Sequence, residues 1–337
     1  MHHHLKRART LLRHAALKIF LYSLFLAIVA GPVESHATEK PFPKRPITIV
    51  LPWPAGGGVD TITRMLASEM ESAFGQRVLV ENRPGATGAI GLGQVRRTPA
   101  DGYTIFVVNT ATHALQPTVN KALPYDAFRD FEPIGKFGYF PFGLMVRANL
   151  PIGSFSEFLA ASKKSKDGLS IGVPGAGSIA HLFGSIIAKR TGANIVFIQY
   201  PGDVAAQRDL FGDHIAGIFG TVNFGLLDDG KARLLVSSGP ERWKQAPDAP
   251  TLGESGFSDL VAVVMWGFAA PADTPKEIIE LFNKTLQQAG QRAAVKKAMD
   301  TFGFFPAGGT PQELWTFYAE QKRRFEDFDG LKTGEGK

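Results

Sequence analysis

Three residue types in the middle of the chain could carry hydrolytic chemistry, and two glycine-rich turns could hold an anion. Ser178, His181 and Asp203 are the types found in a nucleophile–base–acid triad. Ser178 and His181 stand three apart on one predicted helix turn, a poor way to align a nucleophile with its base, and no G-x-S-x-G elbow occurs. The alternative is that Ser178 caps the helix and His181 lines or packs a site. The turns are "PAGGGVD", Pro54–Asp60, and "GAGSIA", Gly175–Ala180. Each follows an apolar strand and opens an amphipathic helix, so backbone N–H groups at the helix start are available to an anion. A nucleotide fits neither turn. No lysine follows Gly58 as a phosphate loop requires, and "GSIIAKRTGANIVFIQ" lacks the acid expected of a dinucleotide site. No His-x-x-x-His pair or carboxylate cluster has metal-ligand spacing after the N-terminal segment, so neither metal nor cofactor is expected.

The elements that must position these turns alternate. "ITIVLP" reads as a strand, and "DTITRMLASEMESAF" as a helix with Ile62, Met65, Leu66 and Met70 on one face. Asp60 sits where its N-cap would lie, and Gly75 where it would end. "RVLVEN" and "DGYTIFVVN" read as strands, and "AIGLGQVRRT" as a short helix. A second series comes next: helix "SFSEFLAASKKS" with Ser154 and Glu157 at capping-box spacing, strand "LSIGVP", helix "IAHLFGSIIAKR", strand "NIVFIQY", helix "DVAAQRDLFG", then strands "HIAGIFG", "ARLLVSSG" and "VAVVMWGFAAP". Three helices close the chain, near 275–288, 291–301 and 311–328. This alternation predicts an α/β protein with mostly parallel sheets covered on both faces. The two glycine-rich units share a grammar of strand, proline, turn and helix. Placed in different domains, their helix N-termini would face each other across a cleft.

The 337 residues suffice for two domains, and the absence of cysteine excludes disulfides and thiol chemistry. Of the net charge of +6, +4 lies in residues 1–37, which leaves +2 for the remainder and no electrostatic footprint for nucleic acid. Residues 1–37 run from basic "LKRARTLLRHAALK" through apolar "IFLYSLFLAIVAG" to small Ser35 and Ala37, the order of an export signal, with an uncleaved anchor as the alternative. The expected location is periplasmic.

Seven motifs occur in order: "RPITIVLPWPAGGGVD", "GQRVLVENRPGATGAIG", "PADGYTIFV", "DFEPIG", "GVPGAGSIAH", "APDAPTLGESGF" and "WGFAAPADTP". Together they resemble the substrate-binding proteins of tripartite tricarboxylate transporters, the Bordetella uptake gene (Bug) family, from about Phe42 to Phe328. The resemblance implies a two-domain α/β fold of the type II periplasmic-binding-protein kind, closing like a hinged trap on a small carboxylate, with no enzymatic activity. It places domain 1 at 40–147 plus 262–330 and domain 2 at 148–261. The implied partners are the ligand and the membrane permease subunits of the transporter, with the receptor itself a monomer; a sensor for a membrane kinase and a secreted esterase using Ser178 are the alternatives. The implied site comprises Trp53, Ala55, Gly56, Gly57, Gly58, Val59 and Asp60 from the first loop. Asn109, Thr110 and His113 come from the loop after the third strand. Gly177, Ser178, Ile179 and His181 come from the second glycine-rich turn, and Tyr200 and Gly202 from "YPG". Phe219, Gly220 and Thr221 come from the end of the strand "AGIF" and the two residues after it.

Where the family carries Phe in the first loop this chain has Trp53, and near the end of that loop it has Val59. Many relatives have an acid after the equivalent of Phe219, where this chain has Gly220. The expectation is therefore a carboxylate ligand without an amino group, because an ammonium would lack its obvious partner. Trp53, His113, Phe219 and Phe224 either stack on an aromatic or long apolar acid or belong to the core.

Overall fold

Short β-rich runs between amphipathic helices can bury their apolar faces only by stacking into layers. In the computed structural model, which describes residues 42–327, they do so as two mixed sheets within one compact unit. The leader expected at 1–37 lies outside the described residues. In chain order the elements are β1 (Ile47–Leu51), α1 (Gly58–Phe74), β2 (Val78–Asn82), α2 (Ala89–Val95), β3 (Thr104–Asn109), a π-helical turn (Ala111–Leu115), α3 (Gln116–Val119), β4 (Phe131–Phe140) and β5 (Phe142–Arg147). There follow α4 (Phe155–Lys164), β6 (Leu169–Val173), α5 (Ile179–Thr191), β7 (Ile195–Gln199), α6 (Asp203–Phe211), β8 (Gly217–Thr221), α7 (Phe224–Asp228) and β9 (Ala232–Ser237). The chain closes with β10 (Val264–Pro271), α8 (Lys276–Gly290), α9 (Ala293–Thr301), β11 (Phe305–Pro306) and α10 (Pro311–Glu326).

The first sheet has the order β11-β4-β10-β3-β1-β2 and the second β7-β6-β8-β5-β9. The expected parallel character holds around β1 and β6, which pair in parallel on both sides. It fails elsewhere, because β10, β4 and β11, and β5 with both its neighbours, are antiparallel. The sequence reading missed β4 because Pro133, Gly135 and Gly138 make it look like a loop. Pro133 is accommodated opposite a register shift at Phe268/Ala269, where the ladder is already irregular.

The chain crosses between sheets twice. It leaves the first at Pro141, between β4 and β5, so sheet membership changes ahead of the boundary expected after Arg147. It returns through residues 238–263 into β10. Ser238, fully buried, ties the crossovers together. Its Oγ accepts from Phe142 N–H at 3.0 Å and donates to Ala262 C=O at 2.8 Å. Backbone bonds Ser238 N–H to Phe142 C=O and Ala262 N–H to Ser238 C=O, both 2.8 Å, complete the stitch.

Helix α1 buries Ile62, Leu66 and Met70 of the face its spacing predicts and half-buries Met65, and Gly75 ends it in the left-handed conformation. The N-cap is Gly57 and not Asp60, which lies in the first turn. Ser154 and Ser178 do cap α4 and α5, accepting from Glu157 and His181 N–H.

Replacing Ser238 by Ala strands the buried Phe142 N–H and Ala262 C=O. The expected loss is about 1–3 kcal/mol of stability, read from the shift of the urea unfolding midpoint. An unchanged midpoint would show that the stitch contributes nothing.

Candidate functional site

Three helix N-termini converge on one cavity of about 300 Å3 between the sheets. Gly57, Gly58 and Val59 come from the start of α1; Ser178, Ile179 and Ala180 from the start of α5; Gly202, Asp203, Val204 and Ala205 from the start of α6. First-turn N–H groups have no intrahelical acceptor, and each dipole presents its positive end. The site therefore attracts anionic oxygen from three directions. Its opposite wall is aromatic. Trp53 meets Trp266 edge to face at 4.5 Å between ring centroids, and Phe140, Phe304 and Phe142 complete the lining. Thr87, Asn109, Thr221 and exposed Arg208 add polar groups.

The structure brings Trp53, Ala55, Gly57, Gly58, Val59, Asn109, Ser178, Ile179, Gly202, Gly220 and Thr221 into the lining and leaves the other expected residues out of it. Asp60 is buried and saturated. Its carboxylate accepts from Gly56 N–H (2.9 Å), Asn82 Nδ2 (2.9 Å) and Arg64 Nε (3.1 Å). Burial pulls its pKa up, but these hydrogen bonds outweigh that and hold it below the ordinary value. Asp60 thus fixes the shape of the loop, and Gly56 (φ +88°) is spent on it. Thr110 Oγ1 accepts from Met265 N–H at 2.9 Å, tying β3 to β10. Gly177 N–H faces His181 Nδ1 at 3.4 Å, and the His181 ring packs against Phe197. Ser178 Oγ accepts the backbone N–H of His181 at 3.2 Å, the geometry of a cap. Tyr200 donates to Asp209 at 2.6 Å; burial and that bond push its pKa up to about 12. Phe219 and Phe224 are core residues, packed on Phe142 and Trp243.

His113 lies furthest from expectation. It is fully buried among Tyr125, Phe131, Trp315 and Tyr318, because the π-helical turn after β3 rotates it away from the cavity and leaves Ala111 there instead. Its Nδ1 is 3.0 Å from Thr112 Oγ1.

The reading of Gly220 also changes. Position 220 carries no acid, yet a carboxylate stands against it. A Cβ built there would come within 2.9 Å of Asp203 Oδ1. The premise for excluding an ammonium is therefore absent. Residues missed from sequence, such as Trp266, Phe140 and Phe304, come from the crossover strands and the C-terminal segment. Only the tertiary path brings them to the glycine-rich turns.

Across the cavity mouth the two sides touch. Thr87 Oγ1 donates to Ala176 C=O at 2.8 Å, and Gln116 Nε2 to Gly177 C=O at 3.3 Å. Thr87 and Ala86 both hold positive φ, 52° and 46°, a cost of about 1–2 kcal/mol per residue outside glycine.

Two mixed sheets flanked by helices, with a cavity between them, are the α/β architecture of the periplasmic-binding-protein class. Known proteins narrow the class further. The family model for the "Tripartite tricarboxylate transporter family receptor" matches residues 62–328, and the chain belongs to that family. It is 31% identical over 300 residues to the protein BugT of Bordetella pertussis, covering 88% of this chain and 91% of that one. Among solved structures, the periplasmic binding protein BugD aligns with a TM-score of 0.79 at 30% identity, covering 85% of this chain and 97% of its own. A protein of R. palustris solved with adipate aligns with a TM-score of 0.80 at 28% identity, covering 87% and 98%.

His113 gives the fold a pH signature. Burial lowers its pKa to about 3, against about 6.5 in an unfolded chain. The neutral ring is favoured in the fold, so its contribution is complete above about pH 6.5 and is lost as pH falls toward 3. The slope is about 1.4 kcal/mol per pH unit. Stability at about pH 4.5 should be lower than at pH 7 by about 2–3 kcal/mol from this group alone. His113→Phe should flatten that dependence in urea titrations at the two pH values; an equally steep variant would refute the assignment.

Proposed function

We propose that this protein is an exported periplasmic receptor that captures a small organic carboxylate and delivers it to the membrane permease of a tripartite tricarboxylate transporter. The observation that carries the reading is the convergence of three helix N-termini on one cavity. A ligand carboxylate lies against the first-turn N–H groups of α1 and α5, and the aromatic wall takes its carbon skeleton. Arg208, at the exposed edge, offers a cation to a second carboxylate, which favours a di- or tricarboxylate, in keeping with the adipate held by the R. palustris neighbour. Hydrogen bonds to a charged group contribute about 1.5–3 kcal/mol each. Three or four, less the costs of association and closure, reach the micromolar range, about −8 kcal/mol.

The two lobes act as the jaws of a trap, hinged at the crossovers near Pro141 and in residues 238–263. Thr87 and Gln116 latch them, and the closed, liganded form is what the permease recognises. The receptor works as a monomer, because a trap must open and close freely. Ser178 acts as a helix cap and anion-site residue, with no nucleophilic role.

The reading is tested by calorimetry and thermal melting with a panel of succinate, adipate, citrate and benzoate. At least one acid should bind, and at about a hundredfold excess over its Kd should stabilise the protein by about 2.7 kcal/mol. Failure of every acid to shift the melt overturns the receptor reading. Thr87→Val, which removes the latch donor and keeps the volume, should weaken the best acid by about three- to tenfold. Unaltered affinity would remove Thr87 from the closing machinery.

A further inference from the structure

Two cavity-lining side-chain atoms are buried with no hydrogen-bond partner among the described residues: Asp203 Oδ1, an acceptor, and Trp266 Nε1, a donor. The acceptor is the informative one, because the helix N-termini around it supply donors only. Asp203 opens α6, and its carboxylate reaches across to the end of β8. Gly220 makes room for it: a Cβ at that position would lie 2.9 Å from Oδ1 and 3.7 Å from the Pro174 ring. The N–H and hydroxyl of Thr221 face the carboxylate and ease its ionisation, but desolvation outweighs them and raises its pKa. Arg208, further along the same helix, does not neutralise it. No ion pair joins the two among the described residues, and the influence of Arg208 falls on Asp209.

We propose that Asp203 is a specificity-determining residue of the cavity, accepting a hydrogen bond from a donor group, an ammonium or a hydroxyl, that the bound carboxylate carries. This inference rests on the carboxylate-receptor reading above. A plain diacid brings only acceptors. Its oxygens satisfy the helix N-termini, yet it leaves the Asp203 oxygen unpaired beside a second anion. A ligand with both an acid group and a donor satisfies the helix N–H groups and Asp203 together, and the position of Oδ1 beside Gly220 selects where that donor must lie. Were Asp203 only a favourable acid at a helix start, its removal would alter stability and leave ligand preference untouched.

The experiment uses the protein purified from the periplasm and isothermal calorimetry with two matched sets: succinate with its α-hydroxy and α-amino counterparts, and adipate with its α-hydroxy and α-amino counterparts. In at least one set a donor-bearing acid should bind about tenfold to hundredfold more tightly than the plain diacid. Asp203→Ala should abolish that difference, weakening the donor-bearing acid, which loses its acceptor, and tightening the plain diacid, which no longer faces an unpaired carboxylate. Asp203→Asn keeps an acceptor oxygen and loses the charge, so it separates the two donors: preference for a hydroxyl survives it, and preference for an ammonium falls by at least about tenfold. Equal binding of plain and donor-bearing acids by the unmodified protein overturns this inference alone, as does a preference that persists in Asp203→Ala. Binding of none of the six acids, nor of the citrate and benzoate tested above, overturns the receptor reading and this inference with it.

Discussion

A helix cannot satisfy the N–H groups of its own first turn, and the architecture of this protein is arranged around that shortfall. Three such turns open onto one cavity, where their first-turn donors and positive dipole ends reinforce one another. Everything else positions them. The parallel pairings around β1 and β6 set two strand ends against the cavity, each leading through a proline and a glycine-rich turn into a helix. Ser238 ties the two crossing segments so that the sheets hold the turns face to face. The aromatic wall lowers the local dielectric and strengthens whatever hydrogen bonds an anion makes there.

Two aspartates near helix starts show how the same residue type takes opposite roles. Asp60 accepts from a backbone N–H, an amide and a guanidinium, so its charge is spent within the first loop. Asp203 stands on the cavity wall with one oxygen unpaired and lies against a glycine that gives it space. The first preorganises a surface of donors and the second interrupts that surface with an acceptor. Their difference comes from neighbours distant in sequence: Asn82 on β2 for one, Gly220 at the end of β8 for the other. On the proposed reading, affinity for acids and discrimination among them rest on separate groups.

Much of the scaffold is legible in the sequence. The period of Ile62, Leu66 and Met70, the cap residues Ser154 and Ser178, and the left-handed Gly75 are local features, set by interactions within a few residues. The mixed pairing is not legible. Pro133 and the glycines of β4 hide a strand that depends on β10, whose partner residues lie more than a hundred positions away. His113 illustrates the same limit at the site. Its residue type and its place after β3 are those of a ligand contact, but a single π-helical turn decides which way it faces, and the space among Tyr125, Phe131, Trp315 and Tyr318 receives it.

The sequence alone determined the two glycine-rich turns that open helices, the absence of a phosphate loop and the seven ordered motifs of the receptor family, because turn chemistry and helix starts are encoded by adjacent residues. The tertiary structure decided which residues share the cavity. Trp266, Phe140 and Phe304 reach it through the crossovers and the returning C-terminal segment, and Asp203 supplies a carboxylate at the position Gly220 leaves open. A missing side chain can be read from sequence, but the group that fills its volume is settled by packing between elements that no local pattern connects.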